Sequence, residues 1–431
     1  MVIAESDQTS TVADDPESRP WGLPLYVWVV GAAVVAVPVG YFWGPGASAL
    51  DILPSLIIRL LKALATPLVV LAILNAIVTN EIRGRQGARM MVYYLFNTFV
   101  AIVIGLTLSN LIKPGLGADL GATSKPATAS VAVPAAKAEP TGITKLLFEM
   151  VPESIGDAFA KNNLAQLVVV TLALGIGLAK IRDEQKKRGE TTYLVVVDLI
   201  NIGFELLMRV LLWVVALVPL AVFGVVASNA GKDDFRKTFT ALLWFVVVVL
   251  VGLACQVTWY LIQMAVFARM SPRRFLVGVK DVMATSFSTA STGATMPFTL
   301  RALTGPLKVS KPSAQLAACV GTNFNNDGSA LYQASVVLFM AQAMGSNLTI
   351  MDQVVVVLTT VIASIGAGCI PSGGFVTLPL IFAAVGLSPE KIPIILTIDW
   401  FLDRCRTSSN VLGDMTVAVL LDQTAEPAEV D

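Results

Sequence analysis

The sequence predicts an all-α membrane protein with eight transmembrane helices and two re-entrant helical hairpins. Of its 431 residues, 55% are hydrophobic and only 14% are charged, whereas about a quarter of a typical soluble domain is charged. Apolar runs long enough to cross a bilayer fill the first two thirds of the chain. In the last third, apolar runs alternate with short segments of Ser, Thr and Gly, which indicates chain reversals inside the membrane.

The composition argues against several other classes of protein. The 30 Lys and Arg residues balance the 30 Asp and Glu residues, so no basic surface for nucleic acid is expected. Histidine is absent from the sequence, which removes the usual zinc ligand and the usual general base. The four cysteines lie in apolar segments at unrelated spacings, and we interpret them as small buried hydrophobic residues.

Six apolar segments have the length of about 20 residues that a membrane crossing needs. They are approximately residues 25–45, 51–79, 91–112, 164–181, 193–228 and 237–268. The last two are long enough to tilt or to extend beyond the lipid. Between the third and the fourth, an Ala/Thr/Pro-rich stretch over residues 117–140 indicates a surface loop.

Basic connections predict how the chain is oriented. Residues 81–89, 180–190 and 268–275 are rich in Lys and Arg, and all three fall on one side if the fourth region is one net crossing. The positive-inside rule makes that side cytoplasmic. The acidic tail of residues 1–23 lies there too, and it lacks the pattern of a cleaved signal peptide. We therefore expect a multi-pass protein of the plasma (inner) membrane, surrounded by lipid.

Two segments in the last third predict the hairpins. Residues 273–305 place two apolar runs around ATSFSTASTGATMP, and residues 353–386 repeat this pattern around SIGAGCIPSGG. Each hairpin precedes a longer apolar segment that polar residues interrupt, and this repetition is typical of inverted-repeat transporters. Two ordinary short hairpins of a membrane scaffold are the alternative.

The segment IDWFLDRCRTSSNVLGDMTV, residues 398–417, carries charged residues at helical spacing. On a helix, Asp399, Asp403, Arg406, Asn410 and Asp414 share one face. Ionisable side chains in a membrane helix are costly unless they pair, face protein or line a wet path. We expect this face to line a binding cavity. A structural ladder of ion pairs is the alternative, although it leaves the last two residues unexplained.

Oxygen-rich segments predict cation binding. TNFNNDGS, residues 322–329, supplies three asparagines, one aspartate and one serine within an apolar segment. Such oxygens suit a hard cation, and an unwound membrane helix can coordinate Na⁺ through its carbonyl groups. Tyr94, Asn97 and Thr98 form a smaller polar group in the third span.

Arg406 predicts the chemistry of the solute. Its guanidinium is always charged and binds a carboxylate through two parallel hydrogen bonds. Asp403 offers a partner for an ammonium group, while Asn410 and hairpin-tip N–H groups can bind a second carboxylate. These anchor points describe an acidic amino acid.

With these motifs the chain resembles the glutamate transporter family, the dicarboxylate/amino acid:cation symporters that include the excitatory amino acid transporters, from about residue 25 to 422. Asn325, Asp327 and Gly328 are similar to the family's Asn-Met-Asp-Gly-Thr motif in its seventh helix. The charged face of residues 398–417 resembles its eighth helix, and the two Ser/Gly tips resemble those of its hairpins. The resemblance implies a homotrimer in which a transport domain moves like an elevator against a fixed scaffold.

The resemblance also implies domain boundaries. The scaffold comprises helices 1 and 2 (24–88) and the extracellular loop with helices 4 and 5 (113–236). The transport domain comprises helix 3 (89–112) and helices 6 to 8 with both hairpins (237–422). The two tails are residues 1–23 and 423–431.

Carried over position by position, the resemblance implies a substrate site and three sodium sites. The substrate residues are Thr292, Ser329, Ile370, Gly374, Asp403, Arg406, Thr407 and Asn410. The first cluster for sodium comprises Gly321, Asn325, Asn410 and Asp414; the second cluster comprises Tyr94, Asn97, Thr98, Asn325 and Asp327; the third cluster comprises Asn323, Ser364, Ile365 and Ala367.

Some positions depart from the family pattern. Asn326 replaces the motif's methionine, and Asn97 with Thr98 replaces a Thr-Ser pair. These substitutes keep an oxygen, so cation binding is expected while the number of ions stays open. Gln333 replaces the glutamate of animal members, and because glutamine does not titrate we expect no proton to be carried there.

Two other functions are open to this sequence. One is a proton-coupled or sodium-independent carrier of dicarboxylates or other small anions, although Asp403 favours a solute with an ammonium group. The other is an intramembrane aspartyl protease, since paired membrane aspartates can act as acid and base. Its Gly-x-Gly-Asp motif is missing before Asp414, and we expect a transporter rather than an enzyme.

Overall fold

The protein is described by a computed structural model, and within the described residues every long element is an α-helix. The described residues are 25–79, 84–118, 151–160, 164–230, 235–367, 373–389 and 392–424, with only the backbone described at a few helical positions. The helices are α1 (Leu25–Trp43), α2 (Ile52–Thr79), α3 (Gly84–Ile112), α4 (Ile155–Ala160), α5 (Leu164–Arg188), α6 (Tyr193–Ala216), α7 (Val218–Ala230), α8 (Phe235–Val266), α9 (Pro272–Thr289), α10 (Thr292–Thr304), α11 (Lys311–Phe324), α12 (Asp327–Ala343), α13 (Ile350–Ala367), α14 (Gly373–Ala384) and α15 (Pro393–Gln423).

Several of these helices are long and apolar enough to cross a membrane. Within the described residues, such stretches run over Val27–Val78, Arg85–Ile112, Tyr193–Ala230 and Arg236–Val266. Large hydrophobic side chains are exposed on their outer faces, such as Phe42 at 85%. An exposed apolar surface of this extent is suited to lipid rather than to water. The prediction of an all-helical protein with several apolar helices is confirmed, while the count of eight spans stays a prediction.

The cysteines correct one expectation. Cys255, Cys319 and Cys405 are free, but the first is exposed and the other two are only partly buried. The expectation of buried positions is therefore wrong for these three. The reason is that a small hydrophobic residue on a membrane helix can face lipid and need not face the protein core. Cys369 lies outside the described residues.

The first predicted hairpin is present. Helices α9 and α10 pack against each other, and the chain reverses at Ala290, whose left-handed φ of 50° ends α9. Ser291 then begins α10 by accepting a hydrogen bond from the Ala294 N–H at 3.2 Å, which satisfies one of the free N–H groups of the helix start. Helices α13 and α14 pack together in the second hairpin, and its predicted tip includes residues 368–372, which are not described.

The broken helix expected before the second hairpin is also present. Helix α11 ends at Phe324 and α12 begins at Asp327. Asn325 between them is extended, with φ −96° and ψ 106°. Helix α12 is buried along nearly its whole length, as expected of a helix that other helices surround.

Helix packing places the interrupted elements together. Helix α15 contacts α8, α9, α10, α11 and α12. Helix α3 packs along α12 and α8, whereas α1 packs on α7, and α2 packs on α5, α6 and α7. The break between α11 and α12 therefore lies against the polar face of α15.

The close approach of α3 to α12 generates a prediction about Gly105. A Cβ atom at this position would lie 2.6 Å from the Leu331 carbonyl oxygen and 2.9 Å from the Ser335 hydroxyl. We expect Gly105→Ala to lower the midpoint of thermal unfolding in detergent, because overpacking costs about 1–3 kcal/mol. Gly177→Ala is the matched control, since no atom lies within 4 Å of its Cβ position. An equal response of the two variants would contradict the close packing.

Candidate functional site

Arg406 is the buried centre of the candidate site. Its side chain is 2% exposed, and its Nη2 atom lies 2.7 Å from Oδ1 of Asp403 and 3.1 Å from Oδ1 of Asp399. The guanidinium carbon lies 3.8 Å from the centre of the Tyr332 ring, a favourable cation–π arrangement. Ion pairing, the alternative considered for this face, is therefore part of the structure.

Arg406 nevertheless keeps donors for a further partner. Its Nε and Nη1 atoms are buried and make no hydrogen bond within the described part of the chain. Burying such donors without a partner is costly. The Nε–H and Nη1–H groups lie on different sides of the guanidinium, so each can donate a hydrogen bond to a further acceptor such as a substrate carboxylate.

Asn410 joins α15 to the start of α12. Its Oδ1 atom accepts a hydrogen bond from the Gly328 N–H at 2.8 Å. Its Nδ2 atom donates to Ser329 Oγ and Asn326 Oδ1, both at 3.3 Å. Asn410 and Ser329, which are both predicted to contact the substrate, therefore lie side by side.

The tip of the first hairpin docks on the same helix. Arg404 donates from Nη1 to the carbonyl oxygens of Phe287 and Ser288 at 2.9 and 2.6 Å. This bonding stabilises the last turn of α9, where carbonyl groups lack helical partners. Thr292 begins α10 beside this turn and is half-buried, and Thr407 is buried in α15. Within the described residues neither threonine is hydrogen-bonded to Arg406, so their predicted roles stay predictions.

The first cluster gathers as expected. Asn325 donates from Nδ2 to Asp414 Oδ1 at 2.8 Å and to the Asn410 carbonyl oxygen at 2.9 Å. Its own Oδ1 atom is buried and has no hydrogen-bond partner among the described residues. Gly321 faces the Asp414 carboxylate so closely that a Cβ atom would collide with it. Carboxylate, amide and carbonyl oxygens therefore meet here, a donor set that suits Na⁺.

The second cluster also gathers, but its polar atoms face protein donors. Thr98 and Tyr260 each donate a hydrogen bond of 2.6 Å to the Asp327 carboxylate. The Oδ1 atom of Asn97 accepts from side chains of α8. The Tyr94 hydroxyl donates to the Ala317 carbonyl oxygen at 2.8 Å.

The third cluster is only partly described. Asn323 donates to the Cys319 carbonyl oxygen at 3.3 Å, and the Ser364 carbonyl oxygen accepts from Asn326 Nδ2 at 2.9 Å. Ile365 and Ala367 belong to the last turn of α13, and Gly374 to the first turn of α14, with no side-chain surroundings described. Ile370 lies outside the described residues.

Several functional candidates escaped the sequence analysis. Tyr332 stacks on Arg406 from within α12, and Tyr260 binds Asp327 from α8. Both are aromatic residues in apolar helices that carry other aromatic residues, so nothing in the local pattern distinguishes them from core residues. No three His, Cys, Asp or Glu side chains gather as a metal site in the described ranges, so a cation here would depend on amide and carbonyl oxygens.

Comparison with known proteins agrees with these features. The profile of the sodium:dicarboxylate symporter family matches residues 25–424. Excitatory amino acid transporter 2 of Mus musculus is 30% identical over 414 residues, covering 83% of this chain and 70% of the relative. A C4-dicarboxylate transport protein of Cupriavidus taiwanensis is 27% identical over 415 residues, covering 94% and 92%. The chain therefore belongs to the sodium:dicarboxylate symporter family.

Proposed function

We propose that the protein is a secondary active transporter that carries an acidic amino acid, aspartate or glutamate, together with Na⁺. The observation that carries this proposal is the buried Arg406, whose Nε and Nη1 donors lack partners among the described residues. Membership of a family of symporters supports transport over the protease alternative. The apolar helices support an integral membrane protein, and we propose the plasma (inner) membrane as its location.

The charges around Arg406 favour an amino acid. Arg406, Asp399 and Asp403 together carry one net negative charge. An acidic amino acid adds one negative charge in total, whereas a C4-dicarboxylate adds two and repels the aspartates more strongly. The Asp403 side chain is 26% exposed and that of Asp399 is 5% exposed, so Asp403 is the carboxylate that can reach a substrate ammonium group.

In this proposal the remaining substrate residues surround the amino acid. Asn410 and Ser329 lie in one hydrogen-bonded group, which would bind its main-chain atoms together with Thr292. Thr407 follows Arg406 on the buried part of α15. Ile370 and Gly374 would close over the amino acid from the second hairpin.

Sodium is the coupled ion that the family implies. The unpartnered Oδ1 atom of Asn325 beside Asp414 supports the first cluster as its site. A carbonyl-rich third cluster is proposed at Asn323, Ser364, Ile365 and Ala367. The second cluster has different partners and is considered below.

We further propose a homotrimer with an elevator mechanism. Helices α1, α2 and α5 to α7 pack mostly with one another, and α3 packs with α8 and α12. This grouping supports a scaffold of residues 24–88 and 113–236, and a transport domain of residues 89–112 and 237–422.

The dependence of binding on Na⁺ tests the proposal. We expect aspartate to bind the purified protein at least tenfold more tightly in NaCl than in choline chloride, because a cation at the first cluster offsets the added negative charge. Isothermal titration calorimetry measures both affinities. Equal binding in the two salts, or tighter binding of succinate than of aspartate, would favour the alternative of a sodium-independent or proton-coupled carrier of dicarboxylates.

Substitution of Arg406 tests the substrate contact. We expect Arg406→Cys to weaken aspartate binding by about 100-fold, because hydrogen bonds to charged groups contribute roughly 1.5–3 kcal/mol each. Arg209→Cys is a control, since that side chain is 64% exposed and pairs with Glu205 on the surface of α6. The substrate assignment is wrong if both variants bind aspartate like the wild type.

A further inference from the structure

Helix α8 presents a stripe of hydrogen-bond donors to the second cluster. Four polar or aromatic residues follow one another at spacings of three, one and three, which places them on one face of the helix. They are Gln256, Trp259, Tyr260 and Gln263. All four make hydrogen bonds to Asn97 or Asp327. This face is directed toward α3 and the start of α12.

Asp327 is fully buried and is held by neutral donors. Its Oδ1 atom accepts from Thr98 Oγ1 at 2.6 Å, and its Oδ2 atom accepts from the Tyr260 hydroxyl at 2.6 Å. Gln256 adds a longer contact of 3.5 Å to Oδ2. Short hydrogen bonds to an ionised carboxylate are strong, so each oxygen of Asp327 has a partner supplied by the chain itself.

The amide oxygen of Asn97 is directed toward side chains of α8. Its Oδ1 atom accepts from Trp259 Nε1 at 3.0 Å and from Gln263 Nε2 at 2.5 Å. An indole N–H can only donate, so the atom that faces Trp259 must be the amide oxygen. The Nδ2 atom of Asn97 and the Oε1 atom of Gln256 are buried without a hydrogen-bond partner among the described residues. The Asn97 amide therefore has only a donor left, and the free oxygen on this face belongs to Gln256.

The carboxylate of the first cluster has fewer hydrogen-bond partners. There Oδ1 of Asn325, a residue that the two clusters share, is buried without a partner, and among the described residues the one donor to the Asp414 carboxylate is the Asn325 amide. An unpartnered oxygen attracts a cation, whereas an unpartnered N–H group does not. Asp414 therefore keeps lone pairs for a cation beside Asn325 Oδ1, whereas each carboxylate oxygen of Asp327 already accepts a short hydrogen bond from the chain.

We propose that Trp259 and Tyr260 make the second cluster a hydrogen-bonded anchor between α3, α8 and α12 instead of a sodium site. At most two of the three clusters then bind Na⁺ during transport. This inference depends on the proposed sodium-coupled function. Trp259 and Tyr260 are positioning residues, since they act through Asn97 and Asp327.

The ratio of Na⁺ to aspartate in transport tests this inference. The protein is reconstituted into liposomes with aspartate and Na⁺ gradients, and the membrane potential that stops net flux of radiolabelled aspartate gives the ratio. We expect at most two Na⁺ per aspartate in the wild type. We expect the same ratio in Asp327→Asn even where its flux is slower, because a residue that only anchors helices does not set a thermodynamic ratio. Asp414→Asn should lower the ratio by one.

A ratio of three in the wild type, or the loss of one Na⁺ in Asp327→Asn, would overturn the inference. If Asp327→Asn does not fold, Thr98→Val replaces it, since valine has the shape of threonine without the hydroxyl, and the same unchanged ratio is expected. Aspartate flux that ignores the Na⁺ gradient would contradict the proposed function itself. Sodium-coupled flux with a ratio of three would contradict only the anchor.

Discussion

The structure depends on partners for the buried guanidinium of Arg406, and the surrounding side chains supply them. A charge in the interior of a membrane protein must have partners, and breaking a buried ion pair costs about 3–5 kcal/mol because the remaining charge is uncompensated. Asp403 lies about one turn and Asp399 about two turns from Arg406 on the same helix, and Tyr332 covers the face of the group. These partners leave the Nε and Nη1 donors without a hydrogen bond among the described residues, so the charge is stabilised and donors remain for the proposed substrate.

The break between α11 and α12 depends on the same helix α15. Interrupting a membrane helix frees backbone groups that lipid cannot satisfy, and here Asn410 accepts from the freed Gly328 N–H. The approach requires glycine, because a Cβ atom at residue 328 would lie 2.8 Å from the Arg406 carbonyl oxygen. The irregular backbone and the charged face are therefore in direct contact, and the charged helix supplies a partner to a backbone group at the break.

Much of this arrangement could be predicted from local pattern. The spacing of residues 399, 403, 406, 410 and 414 predicts one helical face, and the polar residues of TNFNNDGS predict an interruption. Both are periodic or compositional signals. The reversal at Ala290 could be predicted for a similar reason, since Ser, Thr and Gly mark the tip.

Tertiary contacts could not be predicted in this way. Trp259 and Tyr260 belong to an apolar helix in which aromatic residues are ordinary, and their partners Asn97 and Asp327 lie far away in the sequence. The sequence indicates that an oxygen is present, but the donors that face it depend on how helices pack. For this reason the hydrogen bonds of the second cluster, and not its residue types, are the support for the anchor proposed above.

Asn410 gives the proposed coupling a physical route. Its carbonyl oxygen accepts from Asn325 in the first cluster, while its side chain bonds Ser329 and the Gly328 N–H in the substrate site. A cation that binds Oδ1 of Asn325 would fix that side chain and, through it, the position of Asn410. The substrate then meets an ordered partner and loses less conformational freedom on binding, which is a favourable coupling between the two sites. Since such coupling is reciprocal, bound substrate would hold the cation by the same free energy.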